Sequence, residues 1–327
     1  MSIPSTDRLP TISVIVAFHN DAEFVPHAVA ALRALDYPRL DIVLVDDGST
    51  DGTADLLDDA TRDLAGARLL RNDTNRGVAA SRNRALADAT GEFVWFADSD
   101  DRWDPSILRA LVAALGERPD AGVAVCSASI VTPDGVSTGA VDPVGSRVVH
   151  DREAAVREFL LGHITGYLWT KLVRRDLASE FPLQRSLSDM AFIAGALSAS
   201  STVVHTPERL YSYVQRGGSI TTGRAVDLDD LALAASDVLA QLADAPSALL
   251  TAFRYRFAVV PCHTQWARRR EPRRDEVAGL EVRVRVRDIP SILAHDRRTA
   301  VKALWIALTG ALFPPTYRAL TRGRRRG

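Results

Sequence analysis

The chain has 327 residues, 46% hydrophobic and 25% charged, a soluble globular composition with room for one large domain or two ordinary ones. Two distant cysteines, Cys126 and Cys262, lack metal-site spacing, which argues for a reducing compartment and against a disulfide scaffold. The N-terminus MSIPSTDRLP has no apolar signal region and no stretch reaches the roughly 18–20 apolar residues of a membrane span, so a cytoplasmic protein is expected.

The net charge of −1 conceals an asymmetry. Residues 251–327 hold 17 Arg and 1 Lys against 6 acidic residues, a net of +12, so the first 250 residues carry −13. A basic C-terminal third on an acidic body points to an anionic partner surface.

Thr11–Phe18 is a near-continuous β-branched apolar run, the pattern of a strand buried on both faces. Helical spacing follows over Phe24–Leu35. Leu40–Val45 reads as a second strand, Thr53–Leu64 as a helix, Arg68–Leu70 as a short strand and Gly77–Ala89 as an Ala-rich helix. Glu92–Ala97, Ser106–Leu115 and Gly122–Val131 continue the strand–helix–strand alternation. Such alternation indicates a mostly parallel sheet with right-handed crossovers. The pattern loosens in the turn-rich stretch Thr132–Val148. A helix near Arg152–Leu161, the apolar segment Gly166–Val173, a helix around Asp189–Ser198 and short strands at Thr202–Thr206 and Leu210–Val214 come next. Beyond a soft boundary near Gly223, helices are expected over Leu228–Ala243 and Ser247–Arg269, with an Arg/Glu-rich connector at Arg270–Arg274.

Three strand ends carry chemistry. The fourth strand delivers Asp98, Asp100 and Asp101 at its C-terminal end, where open α/β sheets bind ligands. Three like charges there repel unless a cation neutralises them, and hard oxygen ligands select Mg2+ or Mn2+, ions that usually accompany a phosphorylated substrate. A solvated Asp-rich turn capping the next helix is the plainer reading of the same residues. The second strand ends in Asp46-Asp47-Gly48-Ser49-Thr50-Asp51, suited to accepting hydrogen bonds from a base or ribose, or to capping alone. The third loop, Asn75–Arg84, places Arg82 one turn into a helix, where a guanidinium bridges a pyrophosphate or the carboxylates, or simply faces solvent. No G-x-G-x-x-G and no P-loop are present, so the expected ligand is a nucleotide diphosphate held by a metal.

The segments VIVAFHN (Val14–Asn20), VDDGSTDGT (Val45–Thr53), NRGVAASRN (Asn75–Asn83), FADSDD (Phe96–Asp101), WTKLVRRDL (Trp169–Leu177) and LYSYVQRGGSIT (Leu210–Thr221) together resemble family 2 glycosyltransferases. The resemblance covers most of residues 11–222. It implies an α/β GT-A fold, Rossmann-like, with a mostly parallel sheet flanked by helices. It further implies a catalytic domain over 1–222, and the helical pattern and charge beyond it are expected to form a mainly helical, basic extension over 223–327. By the same resemblance Ala17, Phe18 and Asp47 border the nucleotide base, with Asn75 in the neighbouring loop. Arg82 reaches the nucleotide, and Asp98-Ser99-Asp100 is the DxD motif. Asp98 lies near the ribose and Asp100 coordinates Mn2+ or Mg2+. Read from the residues themselves, the pair Gly217-Gly218 permits either a loop in which Arg216 and Ser219 close over the diphosphate or an ordinary surface turn. Asp189 falls at the family's catalytic base, although Ser188 stands where many members have Glu.

An inverting, metal-dependent transferase is therefore expected. Its donor would be a nucleotide sugar, most simply a UDP-sugar, and its acceptor a cell-envelope glycan, teichoic-type polymer or glycolipid. A nucleotidyltransferase would use a similar sheet but needs a glycine-rich basic loop after the first strand, where this chain has His19-Asn20-Asp21. A non-catalytic nucleotide-sugar scaffold is the remaining alternative. Arg283, Arg285 and Arg287 alternate with valines, suggesting a short amphipathic strand. Val301–Phe313 is apolar but too short to span a bilayer, and its arginine flanks suit an anionic membrane surface, peripheral on the inner face of the plasma membrane. Aromatic stacking residues are sparse there, so no nucleic-acid partner is expected.

Overall fold

The computed structural model describes residues 9–116, 118, 120–184, 186–216, 227–268, 283–309, 313–314 and 316–317. The chain divides into two compact units, Met1–Ala155 with Thr165–Gly217, and Val156–Ile164 with Gly218–Gly327.

The first unit is built on one ten-stranded sheet. Its strands are β1 (Ile12–Phe18), β2 (Leu40–Asp47), β3 (Ala67–Asn72), β4 (Phe93–Asp98), β5 (Arg102–Trp103), β6 (Ala121–Val131), β7 (Ser137–Val141), β8 (Val148–Asp151), β9 (Lys171–Arg174) and β10 (Thr202–Val214). The order is β3-β2-β1-β4-β9-β6-β10-β5, with β7 on β6 and β8 on β10. β3, β2, β1 and β4 run parallel, as do β6 and β10, while β9 lies antiparallel between β4 and β6. Helices α1 (Val25–Arg33), α2 (Thr53–Asp63), α3 (Val78–Asp88), α4 (Ile107–Gly116), α5 (Arg152–Leu161) and α6 (Ser188–Ala199) connect the strands, α5 belonging to the second unit from Val156 onward. α2 packs on β2 and β3, α3 on β1 and β2, and α4 and α6 on β6. Ile12, Val14, Val16, Leu44 and Trp95 are buried at the centre. Central strands covered on both faces need such near-continuous apolar runs.

Several sequence expectations change. The two strands expected at Thr202–Thr206 and Leu210–Val214 form one long β10. Its pairing with β6 slips at His205–Arg209, where Pro207 has no N–H to give the ladder. The turn-rich stretch contains β7, and β8 follows it. Of the apolar segment Gly166–Val173, only the last three residues enter a strand.

In the second unit lie α7 (Leu228–Gln241), α8 (Ser247–Arg254), α9 (Val260–Arg268), α10 (Ile289–His295) and α11 (Arg297–Thr309). The helix expected without interruption over Ser247–Arg269 is broken by a π-helical turn at Tyr255–Val259. Pro261 comes two residues after it, and it removes an N–H and crowds the carbonyl one turn back. The strand expected around Arg283–Arg287 is instead irregular, ending in a 3-10 turn at Val286–Asp288. The Tyr255 hydroxyl holds this turn, accepting from the Arg285 N–H at 2.7 Å and donating to Asp288 Oδ2 at 2.9 Å. The connector Arg270–Arg274 lies outside the described residues. Among the described residues no helix is long and apolar enough to cross a membrane.

Candidate active site

Because β1 to β4 are parallel, Phe18, Asp47, Asn72 and Asp98 all arrive at the same edge of the sheet. Ala17 sits opposite Asp98 in register. Beyond Asp98 the chain turns at once. Asp98 Oδ1 accepts a hydrogen bond from Arg82 Nη2 at 2.9 Å, so the α3 guanidinium meets the β4 carboxylate as a partly buried ion pair. Ser99 donates to Asp21 Oδ2 at 2.8 Å. Asp100 is paired with Arg216, whose Nη1 reaches Oδ2 and whose Nη2 reaches the backbone carbonyl, both at 2.6 Å. The Arg216 guanidinium also lies 4.5 Å from the centre of the Phe24 ring. Burial raises the Asp100 carboxyl above its ordinary range, Asp98 adds to the rise, and Arg216 opposes it.

Asp47 is directed inward. It is buried and accepts from Asn72 Nδ2 at 2.8 Å and from the N–H groups of Arg76 and Gly77 at 2.9 and 2.8 Å. Burial pushes its carboxyl up, but these bonds outweigh burial and the net shift is downward. Asp47 thus secures the loop before α3, in which Asn75 Oδ1 accepts from the Gly77 N–H at 2.9 Å. Gly48 makes this closeness possible. Its φ is +64°, and a Cβ there would stand 2.4 Å from the Thr74 carbonyl carbon. The Phe18 side chain is buried in the core, so only its backbone and neighbours border the site. Ser219 lies outside the described residues.

Asp189 is the second residue of α6, which Ser188 opens after Leu187 with its left-handed φ of 65°. Its Oδ1 accepts from the Met190 N–H at 3.0 Å. Desolvation raises its carboxyl, with Arg82 opposing and Asp98 reinforcing the rise. Phe96 of β4 packs edge-on against Phe192 of α6 at 5.5 Å, so the helix carrying Asp189 and the strand carrying Asp98 are neighbours. Trp169 is buried and stacks on Tyr211 at 4.6 Å and on Tyr167 at 4.8 Å. The half-buried rings at this stack are Tyr167 and Tyr213. His205 is buried and bonded to the Asp142 carbonyl.

The sequence pattern placed Asp101 in the acidic turn without its structural role, and it did not single out Asp21 or Phe24. Asp101 is fully buried and accepts from Tyr211 Oη at 2.9 Å and the Val214 N–H at 2.8 Å. It ties the acidic turn to β10. Asp21, also raised by burial, is close enough to add to the rise at Asp100. Phe24 floors Arg216. The first loop reads His19-Asn20-Asp21, and its unusual polarity was the available signal. Asn20 indeed holds a left-handed φ of 54° and accepts from the Thr50 N–H at 2.8 Å, joining the first and second loops.

A mostly parallel sheet with helices on it, ending in paired acidic and guanidinium groups, is an α/β sheet of the GT-A type. Residues 13–177 match the model of glycosyl transferase family 2, and the chain belongs to that family. It is similar to EpsH of Bacillus subtilis, 26% identical over 62% of this chain and 60% of EpsH, so the match spans less than two thirds of that relative. The succinoglycan biosynthesis protein ExoO of Rhizobium meliloti is 29% identical over 72% of this chain and 70% of ExoO. The fold is shared with Staphylococcus aureus TarS 1-349, solved in complex with UDP-GlcNAc. It has a TM-score of 0.67, 21% identity, and coverage of 97% of this chain and 92% of TarS.

Proposed function

We propose that the chain is an inverting glycosyltransferase, its first unit the catalytic body. It moves a sugar from a UDP-sugar to a hydroxyl of a cell-envelope glycan, teichoic-type polymer or lipid-linked acceptor. The observation that carries this reading is the pairing of Asp98 with Arg82 and of Asp100 with Arg216 at one sheet edge, with Asp189 in the first turn of α6, which packs on that strand through Phe96 and Phe192. The UDP-GlcNAc complex of TarS supports the donor class, and the name of ExoO, a succinoglycan biosynthesis protein, supports a polysaccharide as product.

Asp189 accepts the proton of the acceptor hydroxyl as its oxygen attacks the anomeric carbon. The bond from that carbon to the diphosphate oxygen breaks on the opposite face, which inverts the centre. A base with a raised proton affinity suits this work. Arg82 and Arg216 lie where the leaving diphosphate gathers charge. The donor set also fits a hard divalent ion. Its groups are all oxygens, and among the described residues no three His, Cys, Asp or Glu side chains gather as a complete site. Mn2+ or Mg2+ would thus be held by Asp100, with Asp98 beside it, and would draw its other ligands from phosphate and water. When bound, such an ion neutralises charge on the leaving group.

The second unit suggests an anionic lipid surface as a further partner. On α11, Val301, Leu304 and Leu308 are exposed along one stripe, and Arg297, Arg298 and Lys302 are the helix's only charges. This supports a peripheral position on the inner face of the plasma membrane. Vesicle sedimentation with anionic and neutral lipids checks it; equal recovery from both removes the reading.

The main reading is tested by thermal shift with UDP, GDP, CDP and dTDP, with and without Mn2+, on wild type and Asp100→Ala. A metal-dependent shift with UDP that disappears in the variant is expected. No shift with any nucleotide would leave the family fold as a scaffold. Product anomericity decides inversion.

A further inference from the structure

The most heavily bonded residue outside the site is Asp142, just after β7. It is a non-glycine residue with φ +47°, a conformation that persists only when its surroundings over-determine it. Its carbonyl accepts from Ser127 Oγ at 2.7 Å and His205 Nε2 at 2.9 Å. Its Oδ1 accepts from the Thr165 N–H at 2.6 Å. Its Oδ2 accepts from Lys171 Nζ at 2.6 Å, Thr170 Oγ1 at 2.8 Å and Thr165 Oγ1 at 3.2 Å. Both side chains of the Asp142–Lys171 pair are wholly enclosed. A buried ion pair is poor value as a stabiliser, because desolvation cancels much of its attraction, and two apolar groups of equal size would serve a core as well. What this pair does is hold both ends of the segment Thr165–Lys171.

That segment meets the first turn of α6 at Gly166, against Met190, the residue after Asp189. A Cβ at Gly166 would lie 2.2 Å from Met190 Sδ and 3.0 Å from Met190 Cα. The backbone of the residue after Asp189 therefore rests directly on the residue after Thr165. Lys171 itself opens β9, one residue before the Leu172 that pairs with Trp95 of β4, the strand carrying Asp98.

We propose that Asp142, Lys171 and Gly166 are positioning residues, a tether that sets Asp189 at its working distance from the β4 carboxylates. The proposal rests on the reading of Asp189 as the base. A misplacement of about 1 Å at a reacting group costs on the order of 100-fold in rate. Such a tether therefore acts on turnover, with no contact to the donor.

The test uses the full chain, UDP as the binding probe, and UDP release from a UDP-sugar that the wild type turns over. Gly166→Ala should lower kcat at least tenfold, with donor KM and the UDP thermal shift unchanged. Asp142→Gly/Lys171→Met should do the same, since glycine keeps the φ and methionine the volume. Asp142→Asn/Lys171→Met, which retains an acceptor for the Thr165 N–H, should recover most of the rate. Hydrogen exchange over 187–191 reads the same tether without turnover, and should quicken in the first two proteins while Phe93–Asp98 stays protected. Wild-type kcat and exchange in both would overturn the tether, as would a parallel loss of kcat and UDP binding, which marks general damage. Asp189→Asn separates the readings: if it keeps full activity, the base assignment fails; if it is inactive while Gly166→Ala is normal, only the tether fails.

Discussion

Asp101→Asn should make the protein more stable at pH 8 and leave it nearly unchanged at pH 5. Asp101 is fully enclosed, and burial, then the charge of Asp98, push its carboxyl up to about 8, against the hydrogen bond from the Val214 N–H. The unfolded chain returns it to the ordinary value near 3.8. A proton is thus held more tightly in the fold. The stability tied to it is fully present below about pH 4 and is lost as pH rises towards 8. Each tenfold of proton affinity is about 1.4 kcal/mol, so the cost of ionisation at pH 8 has a ceiling of ~5 kcal/mol. Relaxation and entering water reduce this, and we expect a gain of about 2 kcal/mol for the asparagine, or roughly 4–8 °C in Tm for a unit of this size. The amide keeps an acceptor for the Val214 N–H and donates to Tyr211 Oη, which turns to accept. The assay is thermal or urea unfolding of both proteins from pH 5 to 8, with chelator present. Equal destabilisation of the variant at both ends would refute the reasoning, because the carboxylate's hydrogen bonds would then outweigh its desolvation.

Asp189→Asn should lower kcat by about 10²- to 10⁴-fold with little change in donor KM, read from initial rates. Desolvation raises Asp189, and a base must be ionised to act. Activity should therefore fall on acidification through a value above the ordinary carboxyl range. Arg82→Met removes the cation that opposes the rise, so the acidic limb of the kcat/KM profile should move to still higher pH. Arg216→Ala leaves Asp100 without its 2.6 Å partner. Calorimetry should then find Mn2+ binding tighter in the absence of UDP, and UDP binding weaker. Gly48→Ala must accept φ +64° and a 2.4 Å approach to Thr74, and should cost about 2–4 kcal/mol, visible as a lower Tm.

The parallel half of the sheet was legible because its strands are buried on both faces and their apolar runs have no competing period. The acidic turn was legible because three aspartates at one strand end have few other uses. Other features depend on partners distant in sequence. β9 is four residues long and becomes a strand only between β4 and β6, so no local pattern announces it. Alternation at Arg283–Arg287 imitates a strand, yet the Tyr255 hydroxyl closes it into a turn. Asp47 was read as facing a ligand, whereas two N–H groups of the next loop hold it inward. Its two neighbours in the motif, Asp46 and Gly48, carry no hint of that choice.

The acidic cluster shows how far a charge argument from sequence extends. Three carboxylates at one strand end demand neutralisation, and a divalent ion is the natural inference when only residue types are visible. The folded chain answers differently for each acid. Asp98 takes the Arg82 guanidinium, Asp100 takes Arg216, and Asp101 is enclosed so deeply that it favours a proton. The turn is thus balanced before any ligand arrives. Arg82 reaches it from a helix, Asp101 is bonded to β10, and Arg216 comes two positions after the last strand residue. An ion approaching Asp100 competes with Arg216, and a diphosphate offers that guanidinium a new partner of greater charge. Ion and nucleotide should therefore favour each other's binding, since each relieves the cost the other imposes on this one pair.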